Sequence, residues 1–495
     1  MEYLSPLDAS FLDAEDEDRH ASLAIASIAV IDGPAPSQAE FAAVIRGRLP
    51  LVPRYRQKVR RVPLDLGRPV WVDDPDFDLD FHLRRTALVA PGDDAALAQL
   101  VGRVMAQRLD RERPLWEYWV IEGLPEGRWA LLSKVHHCMV DGVTGNELYR
   151  LMCDTSPEPL PAVEDDWQPR NEGGALDLTL DAIGQLARTP FDQLRLLARV
   201  VRSPVTHAAR VRDTARGLAV LAGGFVPGAP TSLSGRLGRA RRYAVARTSL
   251  AEIAAVAKAF HVTINDVYLA AVAGAFRRLM LARGEEPTAG AVRTLVPVNV
   301  RKGGDEGVLD NRIAAMLPIL PVEIDDPARR LSAVHERIGV LRSEREVEAA
   351  AAVVELADNE PFAAVSRAIR AALWLPQRAV VTVTTNVPGP RERLYVLGRP
   401  IREILPYVPI AERMRIGVAV LTYAGEAAFG ITADFASVPE VESFACAVVD
   451  EVAKLHKAAG RAAPADVVLP TRRPRSGAGQ ARSRRAAAAR VAQLS

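Results

Sequence analysis

The chain is poor in several things, and each scarcity closes a line of explanation. It has 3 cysteines in 495 residues, at positions 138, 153 and 446. An odd number without paired spacing carries no disulfide framework, and a reducing compartment is expected. No window holds the ~20 uncharged apolar residues of a spanning helix, so no transmembrane segment is expected. The opening MEYLSPLDASFLDAEDEDRH is acidic where a signal peptide would be basic and then apolar, so no export signal is expected. A net charge of only +2 excludes a general binder of nucleic acid, because tracking phosphates takes a strong excess of positive charge. Lysine is confined to Lys58, Lys134, Lys258, Lys302, Lys454 and Lys457. Arginine outnumbers it throughout, alongside abundant alanine, and the bias reads as genome composition rather than phosphate recognition. The expectation is a cytoplasmic protein, or one held at a membrane surface without crossing it.

What is present fits a packed protein: 49% hydrophobic and 25% charged residues. The length exceeds a single core, so two domains of roughly 150–250 residues are expected. LAIASIAVIDG, YWVIEGL and RWALLSKV read as strands, and DDAALAQLVGRVMAQRLD as a helix with an acidic start. From Pro157 to Gly174 the chain turns polar, as a crossover or linker would. A helical region broken at Pro190 and Pro204 follows. Its Leu194, Leu197, Val200 and Val201 share one face and Arg195, Arg199 and Arg202 the other, which suits either a connector between domains or an amphipathic segment on anionic lipid. The second half alternates again. Two helices flank a turn near His261–Asn265, AVRTLVPVNV and AVVTVTTNV read as strands, and RIGVAVLTYAGEAAFGITADF as a hairpin turning at Ala424–Glu426. The expected layout is 1–160, a 161–235 connector, 236–460, and a basic low-complexity tail at 461–495.

Among 8 histidines, two stand together in LLSKVHHCMVDGVTG. If the strand persists to His136, the side chains of His136 and His137 point to opposite faces, so one is structural and one is presented. Asp141 and Gly142 precede a plausible helix; Asp141 can cap it and hold the loop, and Gly142 permits the tight turn. A neutral imidazole with an ordinary pKa of ~6.5 is a good general base for a hydroxyl attacking an activated acyl carbon. Two ordinary core histidines are the bland alternative. Zinc is not expected, because His-His-x₃-Asp lacks a helical i,i+4 pair and no Cys/His cluster completes a site. Cys138 reads as a small buried hydrophobe rather than a nucleophile.

HHCMVDG matches the HHxxxDG signature of coenzyme A-dependent acyltransferases. The chain more specifically resembles the bacterial wax ester synthase/acyl-CoA:diacylglycerol acyltransferase family. LSPLDASFLDAE opens it as that family opens. Pro114, Leu115 and Trp116 supply its PLW element, Asn265 and Asp266 its ND element, and Asn386, Val387, Pro388, Gly389 and Pro390 its NVPGP element. The likeness spans roughly residues 1–460. After the acidic opening the chain reads RHASLAI where the family tends to Met-His-Val.

The resemblance implies an α/β (α+β) fold of two chloramphenicol-acetyltransferase-like domains joined by the connector, with the active-site channel at their interface. It makes His137 the catalytic base, supported by Asp141, His136 and Gly142. PLW is left to pack the domain junction, ND to cap a helix or donate to an oxyanion, and NVPGP to form a rigid loop that shapes the acyl tunnel or ends a strand. It implies acyl-CoA as co-substrate, a lipid alcohol as acceptor, no permanently bound cofactor, and peripheral contact with the inner membrane face or lipid inclusions. Two other functions stay open: a non-catalytic protein bound to lipid inclusions, and a same-fold acyltransferase or condensation enzyme with another acceptor.

Overall fold

The computed structural model describes residues 2–63, 67–139, 153–159, 161–170, 231–299, 313–343, 379–411 and 413–462. The broken helical region around Pro190 and Pro204, Asp141, Gly142 and the basic tail beyond Ala462 lie outside the described residues.

The first half contributes β1 (Glu2–Tyr3), α1 (Pro6–Glu17), β2 (Ala24–Ile31), α2 (Gln38–Arg48), β3 (Gln57–Arg60), β4 (Val70–Asp73), α3 (Leu79–His82), β5 (Leu83–Ala87), α4 (Asp94–Met105), β6 (Trp116–Glu122) and β7 (Trp129–His136). The second contributes β8 (Arg241–Ser249), α5 (Leu250–Phe260), α6 (Ile264–Ala282), β9 (Thr294–Asn299), β10 (Ile313–Met316), α7 (Pro327–Ser343), β11 (Thr382–Pro388), β12 (Tyr395–Val396), β13 (Arg399–Tyr407), β14 (Ile416–Tyr423), β15 (Glu426–Asp434) and α8 (Val441–Ala462). Local chemistry sets several ends. Ser5 caps α1 with Pro6 in its first turn, Ser37 and Glu40 form a capping box on α2, and Asp93 caps α4. The β14–β15 hairpin turns on Ala424 (φ 48°) and Gly425 (φ 91°), the paired left-handed conformation that matches strand twist.

Two six-stranded sheets carry the fold, in the orders β12-β13-β2-β7-β6-β5 and β10-β9-β11-β14-β15-β8, with a small β1-β4-β3 sheet beside the first. The mixed α/β class agrees with expectation. The chain exchange does not follow from the order of segments: β12 and β13 come from the second half, yet β13 pairs antiparallel with β2 and completes the first sheet. The lobes then meet closely. Tyr243 Oη donates to the Pro406 carbonyl at 2.8 Å, and a Cβ on Gly430 would lie 1.7 Å from that same oxygen. A Cβ on Gly102 of α4 would lie 2.5 Å from the Arg241 carbonyl oxygen. Arg247 of β8 bridges to Glu403 at 2.6 Å and to Asp94 at 2.7 Å.

The polar stretch after Pro157 is docked where it is described. Val163 N–H donates to the Gly47 carbonyl at 2.9 Å, Arg56 binds Asp165 and stacks on Trp167, and Arg170 N–H reaches Asp73 at 3.0 Å. No helix among the described residues is both long and apolar enough to cross a membrane. The pair α5 and α6 passes only together, is bent by 102°, and buries most of α6 in the second core.

Candidate active site

Strand β7 ends at His136, and the chain folds at once into a short 3₁₀ turn, His137–Met139. Both ends of this junction are pinned by neighbouring backbone. His136 N–H donates to the Leu115 carbonyl at 2.9 Å, and His137 N–H donates to the Leu23 carbonyl at 3.1 Å. The two imidazoles occupy different environments. His136 is 1% exposed, whereas His137 is only partly buried.

His137 is overlaid by Phe11 of α1, with ring centroids 4.0 Å apart and planes inclined by 29°. Burial first, and the neighbouring His136 second, push its pKa down to about 4, against a contact with its own backbone carbonyl that acts the other way. The site therefore presents a neutral imidazole throughout the physiological pH range.

His136 is tied differently. Its Nδ1 accepts from Cys138 N–H at 3.2 Å and lies 3.0 Å from the Cys138 Sγ. Its proton must then sit on Nε2, which faces Glu15 Oε2 at 3.7 Å, long for a hydrogen bond but close for a charge. Glu15 is buried, accepts from Leu23 N–H at 3.0 Å, and pairs with Arg111 at 2.8 Å. Burial alone would raise its pKa; His136, Arg111 and the Leu23 amide outweigh it and hold the carboxyl at about 2. Lys134, two residues back and also sealed, donates to the carbonyls of Val104 (3.0 Å) and Gln107 (2.6 Å) at the end of α4. Burial lowers its pKa to about 8 against the pull of Glu117 and Glu15. Burial drives the Cys138 thiol well above its usual range, which removes it as a nucleophile.

The PLW residues divide. Leu115 supplies the carbonyl that fixes His136, and Pro114 is buried beside it. Trp116 donates from Nε1 to the Tyr55 carbonyl at 2.8 Å and stacks on Tyr55 (4.6 Å) and His82 (4.3 Å). These partners all belong to the first lobe, so Trp116 packs that lobe's interior rather than a domain junction. Asp266 closes a capping box with Thr263 at the start of α6 and accepts from His335 at 2.9 Å; Asn265 stands beside it in the first turn. Asn386 and Val387 lie in β11, the strand read from AVVTVTTNV, and Pro388 ends it, the three in parallel register with Val420, Leu421 and Thr422. Gly389 follows because a Cβ there would lie 2.0 Å from the Thr422 carbonyl oxygen. These second-lobe residues are engaged within their own lobe. The sequence reading missed Phe11, Glu15 and Arg111. The signal for the first two was LDASFLDAE, where Phe11 and Glu15 stand four apart on one helix face.

The two-lobed fold is shared with solved acyl-transferring enzymes. It superposes on a wax ester synthase/diacylglycerol acyltransferase from Marinobacter aquaeolei VT8 with TM-score 0.63 and 24% identity, over 92% of this chain and all of that one. It is also similar to the starter condensation domain of rhizomide synthetase solved with C8-CoA, at TM-score 0.56 and 18% identity, over 93% of this chain and 95% of that one. The wax ester synthase/diacylglycerol acyltransferase catalytic-domain model matches residues 4–268, and the C-terminal-domain model of the same family matches residues 309–456. A Mycobacterium tuberculosis protein named "Probable diacyglycerol O-acyltransferase tgs1" is 40% identical over 455 residues, 92% of this chain and 96% of its own. The chain belongs to the wax ester synthase/diacylglycerol acyltransferase family.

Proposed function

We propose that this protein moves a fatty acyl group from acyl-CoA to diacylglycerol, making triacylglycerol, with long-chain alcohols as further acceptors. The observation that carries the reading is the neutral, partly open imidazole of His137 at the end of β7, in a chain of this family. His137 takes the proton of the acceptor hydroxyl as that oxygen attacks the thioester carbon. The tetrahedral intermediate collapses, the C–S bond breaks, and the imidazolium returns the proton to the departing thiolate. Ester and free coenzyme A leave, and no acyl-enzyme forms. Asp141 is assigned the loop-orienting carboxylate and Gly142 the turn beside it. General-base assistance supplies about 10²–10⁴-fold; positioning and oxyanion stabilisation supply the remainder. Acyl-CoA is a passing co-substrate, and the apolar acceptor places the enzyme peripherally at the inner membrane face or on lipid inclusions in the cytoplasm.

The test is purified protein with palmitoyl-CoA and either diacylglycerol or hexadecanol, following ester and free thiol. Wild type is expected to form both in equal amounts. His137→Ala should lose about 10³-fold in kcat while staying folded, and His136→Ala should chiefly lose stability. Equal turnover in the two variants refutes the assignment of the base; lipid-inclusion binding without turnover in wild type favours a coat protein.

A further inference from the structure

The turn that carries His137 is held on one side by strands and on the other by a helix whose chemistry the reaction does not directly use. Helix α1 lies over it with Phe11 on the imidazole of His137 and Glu15, one turn later, against His136. The helix is itself clamped. Arg108 donates to the backbone carbonyls of Glu15, Asp18 and Ala21, and Arg111 reaches the Leu12 carbonyl at 3.2 Å, Glu15 at 2.8 Å and Asp16 at 2.9 Å. A buried carboxylate this well satisfied is fixed in both place and charge.

We propose that Glu15 is a positioning residue for His137, acting through His136. Glu15 keeps the His136 proton on Nε2. That leaves Nδ1 free to receive Cys138 N–H, and this bond sets the first step of the 3₁₀ turn. The arrangement gives the doubled histidine a division of labour: one ring meets the acceptor, and the other is a tautomer-locked bracket for the backbone. Without the carboxylate, the Nε2 proton of a sealed imidazole faces no compensating charge. The proton then moves to Nδ1, where it opposes the Cys138 amide, and the turn shifts. A displacement of about 1 Å at a reacting group costs on the order of 10²-fold.

The inference rests on the acyltransfer reading, and its test separates the two. Glu15→Gln, His136→Gln and the double variant are assayed with palmitoyl-CoA and diacylglycerol, while ¹⁵N-histidine NMR reads ring tautomers in the same samples. The expected result for Glu15→Gln is a ten- to hundredfold fall in kcat, KM values for both substrates within about twofold, and loss of the Nε2–H tautomer at His136. The double variant should be no worse than the poorer single, since the two act as one unit. An unchanged kcat, a loss confined to KM, or additive losses overturn the proposal. If wild type proves inactive on these substrates, the acyltransfer reading fails by itself, and the tautomer decides the rest: a shift in Glu15→Gln upholds the Glu15–His136 link, and an unchanged His136 overturns it. Should Glu15→Gln not fold, Arg111→Gln leaves the carboxylate but slackens it. The same kcat-only loss, smaller in size, is required of it, and an unaltered kcat overturns the idea.

Discussion

The two large sheets have the same number of strands and opposite interiors. The first lobe buries Lys134 and His136 at the end of β7 and Asp8, Asp13 and Glu15 on α1, the helix that packs on the turn carrying His137. The centre of the second sheet buries hydroxyls instead. Thr294 donates to Thr384 at 2.9 Å, and Thr382 donates to the Ile416 carbonyl at 2.8 Å. Its buried ionic groups lie at its margins: Arg330 of α7 pairs with Glu451 of α8 where Gly274 of α6 leaves room, and Arg241 faces Asp434 where β8 meets β15. A buried charge is costly unless it is paired and hydrogen-bonded, so each cluster marks what its lobe must hold in place. In the first lobe the buried charge gathers at the His136 junction; in the second it ties helices and strand ends together.

The sharpest way to break this contrast is mechanical. Gly430 lies in the second lobe but its Cα hydrogen faces the Pro406 carbonyl of β13, a strand of the first sheet. Gly430→Ala should cost about 3 kcal/mol by overpacking, and urea unfolding should remain a single transition, because the contact belongs to both lobes. Two separated transitions would show the lobes to be independent.

A second test concerns the charged interior of the first lobe. With the His137 pKa lowered to about 4, protonation does not compete until the medium is well below the ordinary imidazole value. The profile of kcat/KM should stay level as pH falls through 6.5 and drop only toward about 4–5. The same shift contributes to stability in the matching sense. The unfolded chain binds this proton near 6.5 and the folded chain near 4, so the contribution is whole above 6.5 and is lost as pH falls between those values. An acid limb centred at 6.5 would place the base elsewhere.

The smallest effect belongs to the second lobe. Thr263→Ala removes one half of the α6 capping box and should cost about 1 kcal/mol by chemical denaturation while leaving kcat unchanged. A fall in kcat beyond the loss of folded protein would give the ND element a part in the reaction.

What the residues disclosed in advance follows from the range of the forces involved. The β14–β15 hairpin and the α5–α6 pair announce themselves because their signals are local: alternation around Ala424-Gly425, and helical spacing broken near His261, whose φ of 55° ends α5. The histidine pair was legible because strand geometry separates neighbouring side chains. The pairing of β13 with β2 was not, since it joins residues 370 to 381 positions apart and nothing local records the partner. Glu15 escaped for a related reason. In an acidic opening segment it resembles a solvated charge, and only the return of Arg111, His136 and the Leu23 amide shows that it is enclosed. Trp116 was visible as a residue but not as a stack, because Tyr55 and His82 reach it from two other elements.

The strand supplied by Arg399–Tyr407 also fixes an order of events during synthesis. Until residue 407 leaves the ribosome, β2 has one unpartnered edge, and its sequence AIASIAVI is uncharged and rich in residues that favour pairing with other chains. At elongation rates of about 5–20 residues per second that interval lasts on the order of tens of seconds. The first sheet cannot be completed until the second half has been made, and a gene cut at the connector is expected to yield a fragment with an open sheet edge.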